Sequence, residues 1–359
     1  MRAPRLAPAL FCLLATGALI GGCGSDSGSD ESTAAAADTA ESRPAPPAAK
    51  FPSAGKRTLR QVLKVADNPV DLKLEPAAEV FYPGANRYPF GVTDRDSGPV
   101  DDAEVALYFS KVPEPKPSAK SKSGNRGQIA KAQEQALDRP AWGPFPAAIE
   151  TLATKPEFAG QTTTGDPDAA RVVYSTQLDL PRNGEWKLAA IVREDGELQG
   201  TPLPTVVVGE FDRIPRPGDQ APLIHTPTAQ DADGDRSKVT TRIPPDSQNK
   251  VDYADALGKE PIVLLFATPQ FCQSRVCGPV VDVAEQVKHE YGDEAAFIHM
   301  EIYNHNDPAL GVRPQVRAFH LPSEPYLFTI DRHGVVRDAI EGAFGLELMH
   351  EAVDKAIAP

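Results

Sequence analysis

Cys272 and Cys277 lie in the stretch 271–280 (FCQSRVCGPV), with four residues between them. Two thiols this close in sequence support three kinds of chemistry. They can exchange with another disulfide, one sulfur attacking and the other resolving the mixed disulfide. They can close a permanent bridge that staples a turn, which extracytoplasmic proteins favour. As thiolates joined by a histidine, they can hold a soft cation such as Cu(I). Arg275 stands between them and favours the thiolate form, as does the N-terminus of any helix that follows.

The chain has 359 residues and four cysteines, and its N-terminus accounts for the other two. Arg2 and Arg5 precede an apolar run at 10–20 that has signal-peptide length. A membrane span would need roughly 20 apolar residues. Leu19-Ile20-Gly21-Gly22-Cys23 resembles the lipobox of bacterial lipoproteins. The resemblance implies that residues 1–22 are a lipoprotein signal peptide and that Cys23 is lipidated, with Cys12 discarded. The protein is then extracytoplasmic and lipid-anchored to the cell membrane, where a cysteine pair can stay oxidised. Cys272 and Cys277 are left as each other's partner for any internal disulfide. A formal charge of −13 argues against nucleic acid and against a polybasic grip on anionic lipid.

The elements that must position the pair follow from the hydrophobic pattern. Residues 23–56 are rich in Ser, Ala, Pro and acids and are expected to be a disordered tether. From 57 to 212 the texture is β: short Val-, Tyr-, Phe- and Leu-rich runs at 78–82, 87–93, 104–110, 171–180, 186–193 and 205–211 are separated by turn signals such as Arg182-Asn183-Gly184. This spacing suggests an all-β, immunoglobulin-like (Ig-like) sandwich. The phrase LDLPRNGEWKLAAIV resembles the hairpins of extracytoplasmic Ig-like domains. A polar insertion at about 113–169 interrupts it, either a functional loop or a disordered excursion.

The pattern changes after about 250. The run 262–266 reads as a strand buried on both faces, and Val280, Ala284, Val287 and Tyr291 recur at helical spacing. A second buried strand at 295–303, a short helix at 314–320, a hairpin of 326–330 with 335–340 and a closing helix at 346–357 complete the order β, α, β, α, β, β, α.

Several motifs stand on that order. Pro217-Gly218-Asp219-Gln220-Ala221-Pro222 resembles the PGDxAP opening of redoxin-type domains. Leu257-Gly258-Lys259 resembles their approach to the central strand, and Glu324-Pro325-Tyr326 their cis-proline. Gly342 matches the glycine after their hairpin. Residues 213–359 are therefore similar to a thioredoxin-like α/β domain. The resemblance implies that Pro325 is cis and exposes a backbone edge beside the cysteines. Its expected function is thiol–disulfide exchange through Cys272 and Cys277 with extracytoplasmic protein thiols or disulfides. The attacking sulfur stays open: distance from the strand favours Cys272, while Val276-Cys277-Gly278-Pro279 resembles the thioredoxin WCGPC turn and favours Cys277.

Two alternatives accompany this reading. One is a binding domain with a structural disulfide. The other is a Cu(I) chaperone similar to the Sco type, with His320 joining the cysteines as metal ligand. His299 and His305 flank a strand end and could equally be ligands or surface residues. The acidic loop Asp231-Ala232-Asp233-Gly234-Asp235 has carboxylates at calcium-loop spacing, but its glycine comes two positions early and no bidentate Glu stands at the right distance, so it is read as a flexible acidic loop. Phe271 is read as packing on the rim of the site or as a hydrophobic substrate platform.

Overall fold

Alternating burial organises the first half of the chain. In a computed structural model that describes residues 41–359 apart from 67, 70–71, 97, 115–125, 195, 210 and 212, the strands there are β1 (Asn68–Pro69), β2 (Lys73–Pro76), β3 (Gly84–Thr93), β4 (Glu104–Lys111), β5 (Trp142–Pro146), β6 (Ala148–Thr151), β7 (Val172–Leu180), β8 (Gly184–Glu194) and β9 (Glu197–Val208). They form two sheets, ordered β1-β9-β8-β4-β5 and β2-β3-β7-β6, antiparallel except where β1 pairs with β9. The two sheets share one apolar core. Tyr88, Phe90 and Tyr174 come from one, and Phe109, Trp186 and Leu188 from the other. Trp186 buries its ring and still donates its indole N–H to the Arg182 carbonyl at 3.0 Å, so its burial leaves no polar group unpaired. The signal-peptide segment 1–22 and Cys23 lie outside the described residues, as does 115–125 of the insertion. Among the described residues, no helix is long and apolar enough to cross a membrane.

Two boundaries differ from the sequence reading. Residues 41–56, assigned to the tether, pack on the sheets. Arg43 and Ile149 exchange backbone hydrogen bonds at 2.8 and 2.9 Å, Phe51 is buried, and the Tyr108 hydroxyl donates to the Pro52 carbonyl. Phe51 is the one large apolar residue in that polar stretch, and it supplies the anchor. The insertion at 113–169 is also largely structured. It follows α1 (Leu59–Leu63) and contributes α2 (Arg126–Ala136), then β5 and β6, one to each sheet, and α3 (Gln161–Thr164). Prolines at 144 and 146 mask β5 in the sequence, because proline usually marks strand edges. In the other direction, 78–82 is not a strand; only Phe81 makes a bridge, to Val208.

The second half, whose helices are α4 (Tyr253–Ala256), α5 (Cys277–Tyr291), α6 (Pro314–Ala318) and α7 (Leu346–Ile357), is built on β10 (Ile262–Phe266), flanked by β11 (Ala296–Met300) and β12 (Tyr326–Ile330), with β13 (Val336–Glu341) outermost. β10 runs parallel to β11 and antiparallel to β12. Its residues are buried on both faces. Val263 and Leu265 face a core shared with α5 (Cys277–Tyr291) and α7 (Leu346–Ile357). Ile262, Leu264 and Phe266 face the opposite core, where Phe319 and Phe328 pack.

All of this belongs to a single compact unit. Glu341 accepts the backbone N–H groups of Glu79 and Val80 at 2.8 and 2.9 Å. Arg87 reaches the Ala343 carbonyl at 2.7 Å. Gly342, with φ +79°, has no room for a side chain: a Cβ there would stand 2.4 Å from the Ala77 carbonyl oxygen.

Candidate functional site

The site begins where β10 ends. Ala267 and Thr268 continue the strand into a turn in which the Phe271 and Cys272 N–H groups donate to the Thr268 carbonyl at 3.3 and 3.1 Å. Five residues later Cys277 opens α5, and no side chain caps that helix. Its first N–H groups therefore need another acceptor. The Cys272 sulfur supplies it, accepting hydrogen bonds from the N–H groups of Val276 and Cys277. The CxxxxC spacing thus wraps the first sulfur back onto the N-terminus that the second one begins.

The two sulfurs are chemically unequal. Cys272 retains 8% exposure, accepts the Cys277 thiol, and lies 3.3 Å from the Ser274 hydroxyl. The Cys277 thiol, against the opposing effect of burial, brings the Cys272 pKa down to about 6, with further help from Ser274 and the helix N–H groups. Cys277 is fully buried. Burial, then the adjacent Cys272, pushes its thiol well above the ordinary range. Near neutral pH this gives a thiolate at Cys272 held by a thiol at Cys277. Both cysteines are free in this structure: the pair is close but not joined as a disulfide.

A third acid completes the group. The Cys277 Sγ lies 3.8 Å from Oε2 of Glu324, whose peptide bond to Pro325 is cis. Burial, and then the negative charge of Cys272, push the Glu324 carboxyl up to about 9. The Thr268 backbone N–H faces both the Cys277 sulfur and the Glu324 carboxyl and lowers both pKa values. Pro325 is buried beside them.

The expected copper ligand is elsewhere. Among the described residues, one group of three or more potential ligands has all its donor atoms within 4.8 Å of one another: Cys272, Cys277 and Glu324. His320 is not part of it. It is exposed at the end of α6 (Pro314–Ala318) with φ +56°, pointing the chain out of the helix. The third donor beside the thiols is thus a carboxylate, a hard oxygen poorly matched to Cu(I). His305 is exposed. His299 is not a surface residue: it is buried in β11, 2.9 Å from Asp246. The uninterrupted buried pattern of β11 was the available signal, because a polar residue inside such a run must bring its own partner. In the acidic loop, Asp231 accepts from Thr228 and Asp235 from Ser237, so these carboxylates serve local turns.

The surroundings come from both halves of the chain. Phe271 packs edge-on against Tyr303 at 6.1 Å, on the rim. Arg275, at φ +59°, pairs with Asp166 at 2.5 Å, and its carbonyl accepts from the Ala170 N–H. A cleft of about 440 Å³ beside Cys272 is lined by Phe271, Arg275 and Pro279 on one side and by Thr162 and Asp166 on the other. Beneath it, Arg242 donates to Asp282 of α5 at 2.7 Å, and both side chains are buried. Arg242 also binds the Phe158 carbonyl, while Asp282 accepts the Gly160 N–H.

A comparison with solved structures finds similarity to the crystal structure of a thioredoxin-like superfamily protein. It is 14% identical, covers 40% of this chain and 97% of that one, and superposes with a TM-score of 0.24. No protein-family model matches the chain, and no curated protein does.

Proposed function

We propose that the chain is an extracytoplasmic thiol–disulfide oxidoreductase, held at the membrane by lipid on Cys23. In this reading its C-terminal half, 213–359, is a thioredoxin-like domain, and the sheets before it are an Ig-like sandwich. The observation that carries the reading is the inequality of the two sulfurs: a thiolate at Cys272 on a helix N-terminus, reached by a buried thiol at Cys277. A permanent staple has no need of such a difference, whereas exchange requires one nucleophile and one resolving group.

Cys272 attacks a sulfur of the partner disulfide, forming a Cys272–partner bond and releasing the other partner sulfur as thiolate. Cys272 is now uncharged. Burial still raises Glu324, but the added repulsion from Cys272 is removed, so its carboxyl ionises more readily and its proton passes to the released partner thiolate. Oε2 then takes the proton of Cys277, whose thiolate attacks Cys272 Sγ. The Cys272–Cys277 disulfide forms, the partner's second sulfur leaves as thiolate, and the proton on Glu324 is passed to it or to water. Two electrons move from the cysteine pair to the partner, and every step runs in reverse for oxidation.

The test is equilibration of the pair with glutathione redox buffers, followed by single-turnover reaction of C272S and C277S with a disulfide substrate. C277S should trap a mixed disulfide and C272S should not react. A pair that stays oxidised below about −300 mV, without thiol reactivity, would instead be a structural bridge.

A further inference from the structure

Behind the cysteine turn lies a buried ion pair that the exchange steps do not use. The His299 side chain is fully buried, with Nδ1 2.9 Å from Asp246 Oδ2 and Nε2 3.1 Å from the Ala267 carbonyl oxygen. Both neighbours are acceptors, so both ring nitrogens carry protons and the ring is an imidazolium. Burial opposes that charge, but Asp246 outweighs it and holds the His299 pKa up to about 9. Asp246 is kept ionised in turn by His299, the Thr240 hydroxyl and the Gln248 N–H. The other carboxylate facing His299 is Glu301, just past the end of β11, which accepts the Thr241 N–H at 2.6 Å.

The Ala267 carbonyl and the Thr268 N–H belong to the same peptide group. Its oxygen accepts from the imidazolium, and its N–H faces Cys277 and Glu324. The ion pair is neutral overall but oriented, with the cation toward the cysteine turn and the anion behind it. A charge-assisted bond on a carbonyl fixes the peptide plane and polarises its N–H, and the effect is larger in a dry interior. We propose that His299, held by Asp246, is a positioning residue for the thiol pair, acting through the 267–268 peptide to orient and polarise the N–H that faces Cys277 and Glu324.

The inference rests on the exchange reading, and its test can fail separately from it. In the double variant D246N/H299Q the pair is neutral and amides can still hydrogen-bond in both directions. Cys277 donates to Cys272, so a Cys277 sulfur that faces a less polarised N–H is a weaker donor, and the pH profile of iodoacetamide alkylation at Cys272 should move up by about one unit. The equilibrium with glutathione should shift about tenfold toward the disulfide, which corresponds to about 30 mV. An alkylation profile and an equilibrium both identical to wild type would overturn the proposal. Without any variant, ring-nitrogen NMR of the wild type should show His299 as imidazolium at neutral pH, and a neutral ring would overturn it as well. A wild-type pair that never equilibrates with glutathione sinks the exchange reading, while the alkylation profiles still decide the role of His299.

Discussion

Cys277 Sγ and Glu324 Oε2 lie 3.8 Å apart, the sulfur fully buried and the glutamate half-buried. With the Cys272 thiolate beside them, three acidic groups share one negative charge, and the formation of a mixed disulfide changes which of them holds it.

That relationship predicts a split effect for Glu324→Gln. The first attack by Cys272 should be nearly unchanged, because Cys272 is stabilised mainly by Cys277, Ser274 and helix N–H groups. The resolving step should slow by roughly 100-fold, at the low end of what a positioned proton acceptor contributes. Rapid quench with acid and mass measurement of the accumulated mixed disulfide would check it. Equal slowing of both steps would remove Glu324 from the proton path.

The inequality of the sulfurs makes a second prediction. Alkylation of the folded, reduced protein should modify Cys272 and spare Cys277, with a rate that is half-maximal near pH 6. Peptide mapping across a pH series reads both features. Preferential labelling of Cys277 would reverse the assigned roles.

The buried Arg242–Asp282 pair predicts a stability effect. Arg242→Met leaves the Asp282 carboxylate buried without its cation and should cost about 3–5 kcal/mol in denaturant unfolding. Replacing both residues with apolar ones of similar volume should recover only part of that loss, because it removes the lone charge but leaves the Phe158 carbonyl and the Gly160 N–H without their partners.

His299 links stability to alkaline pH. Its folded pKa is raised from 6.5 to about 9, so the stability it contributes is fully present below pH 6.5 and is lost as pH rises through 9. In a C272S/C277S background, where no thiol titrates, unfolding midpoints should fall across that window. The further replacement D246N/H299Q should flatten the decline.

Much of this architecture was legible in the sequence, and the parts that were not share a cause. The strand at 262–266, the helix through Val280 and Val287 and the hairpin ending at Gly342 follow from periodicity, because each buries a face that its own residues define. Glu324 was legible only as the neighbour of Pro325, since nothing local shows that a carboxylate there meets a thiol 47 positions away. His299 and Asp246 are 53 positions apart and become a pair only when a loop closes over β11. The segment carrying Thr162 and Asp166 reads as a polar insertion because its partners are the backbone and side chains of α5, not an apolar core.

That last segment makes the C-terminal half a poor candidate for transplantation. A fragment beginning at 213 would keep both cysteines, Glu324 and His299, but would lose the wall of the cleft supplied by Thr162 and Asp166. It would also strip the Phe158 carbonyl from Arg242 and the Gly160 N–H from Asp282. Gly278, against which Thr163 now sits so closely that a Cβ would come within 3.0 Å, would be open to solvent. For the proposed exchange, partner selection is thus not portable with the thiols: the preceding sheets and their insertion supply part of the cleft through which a disulfide would approach Cys272.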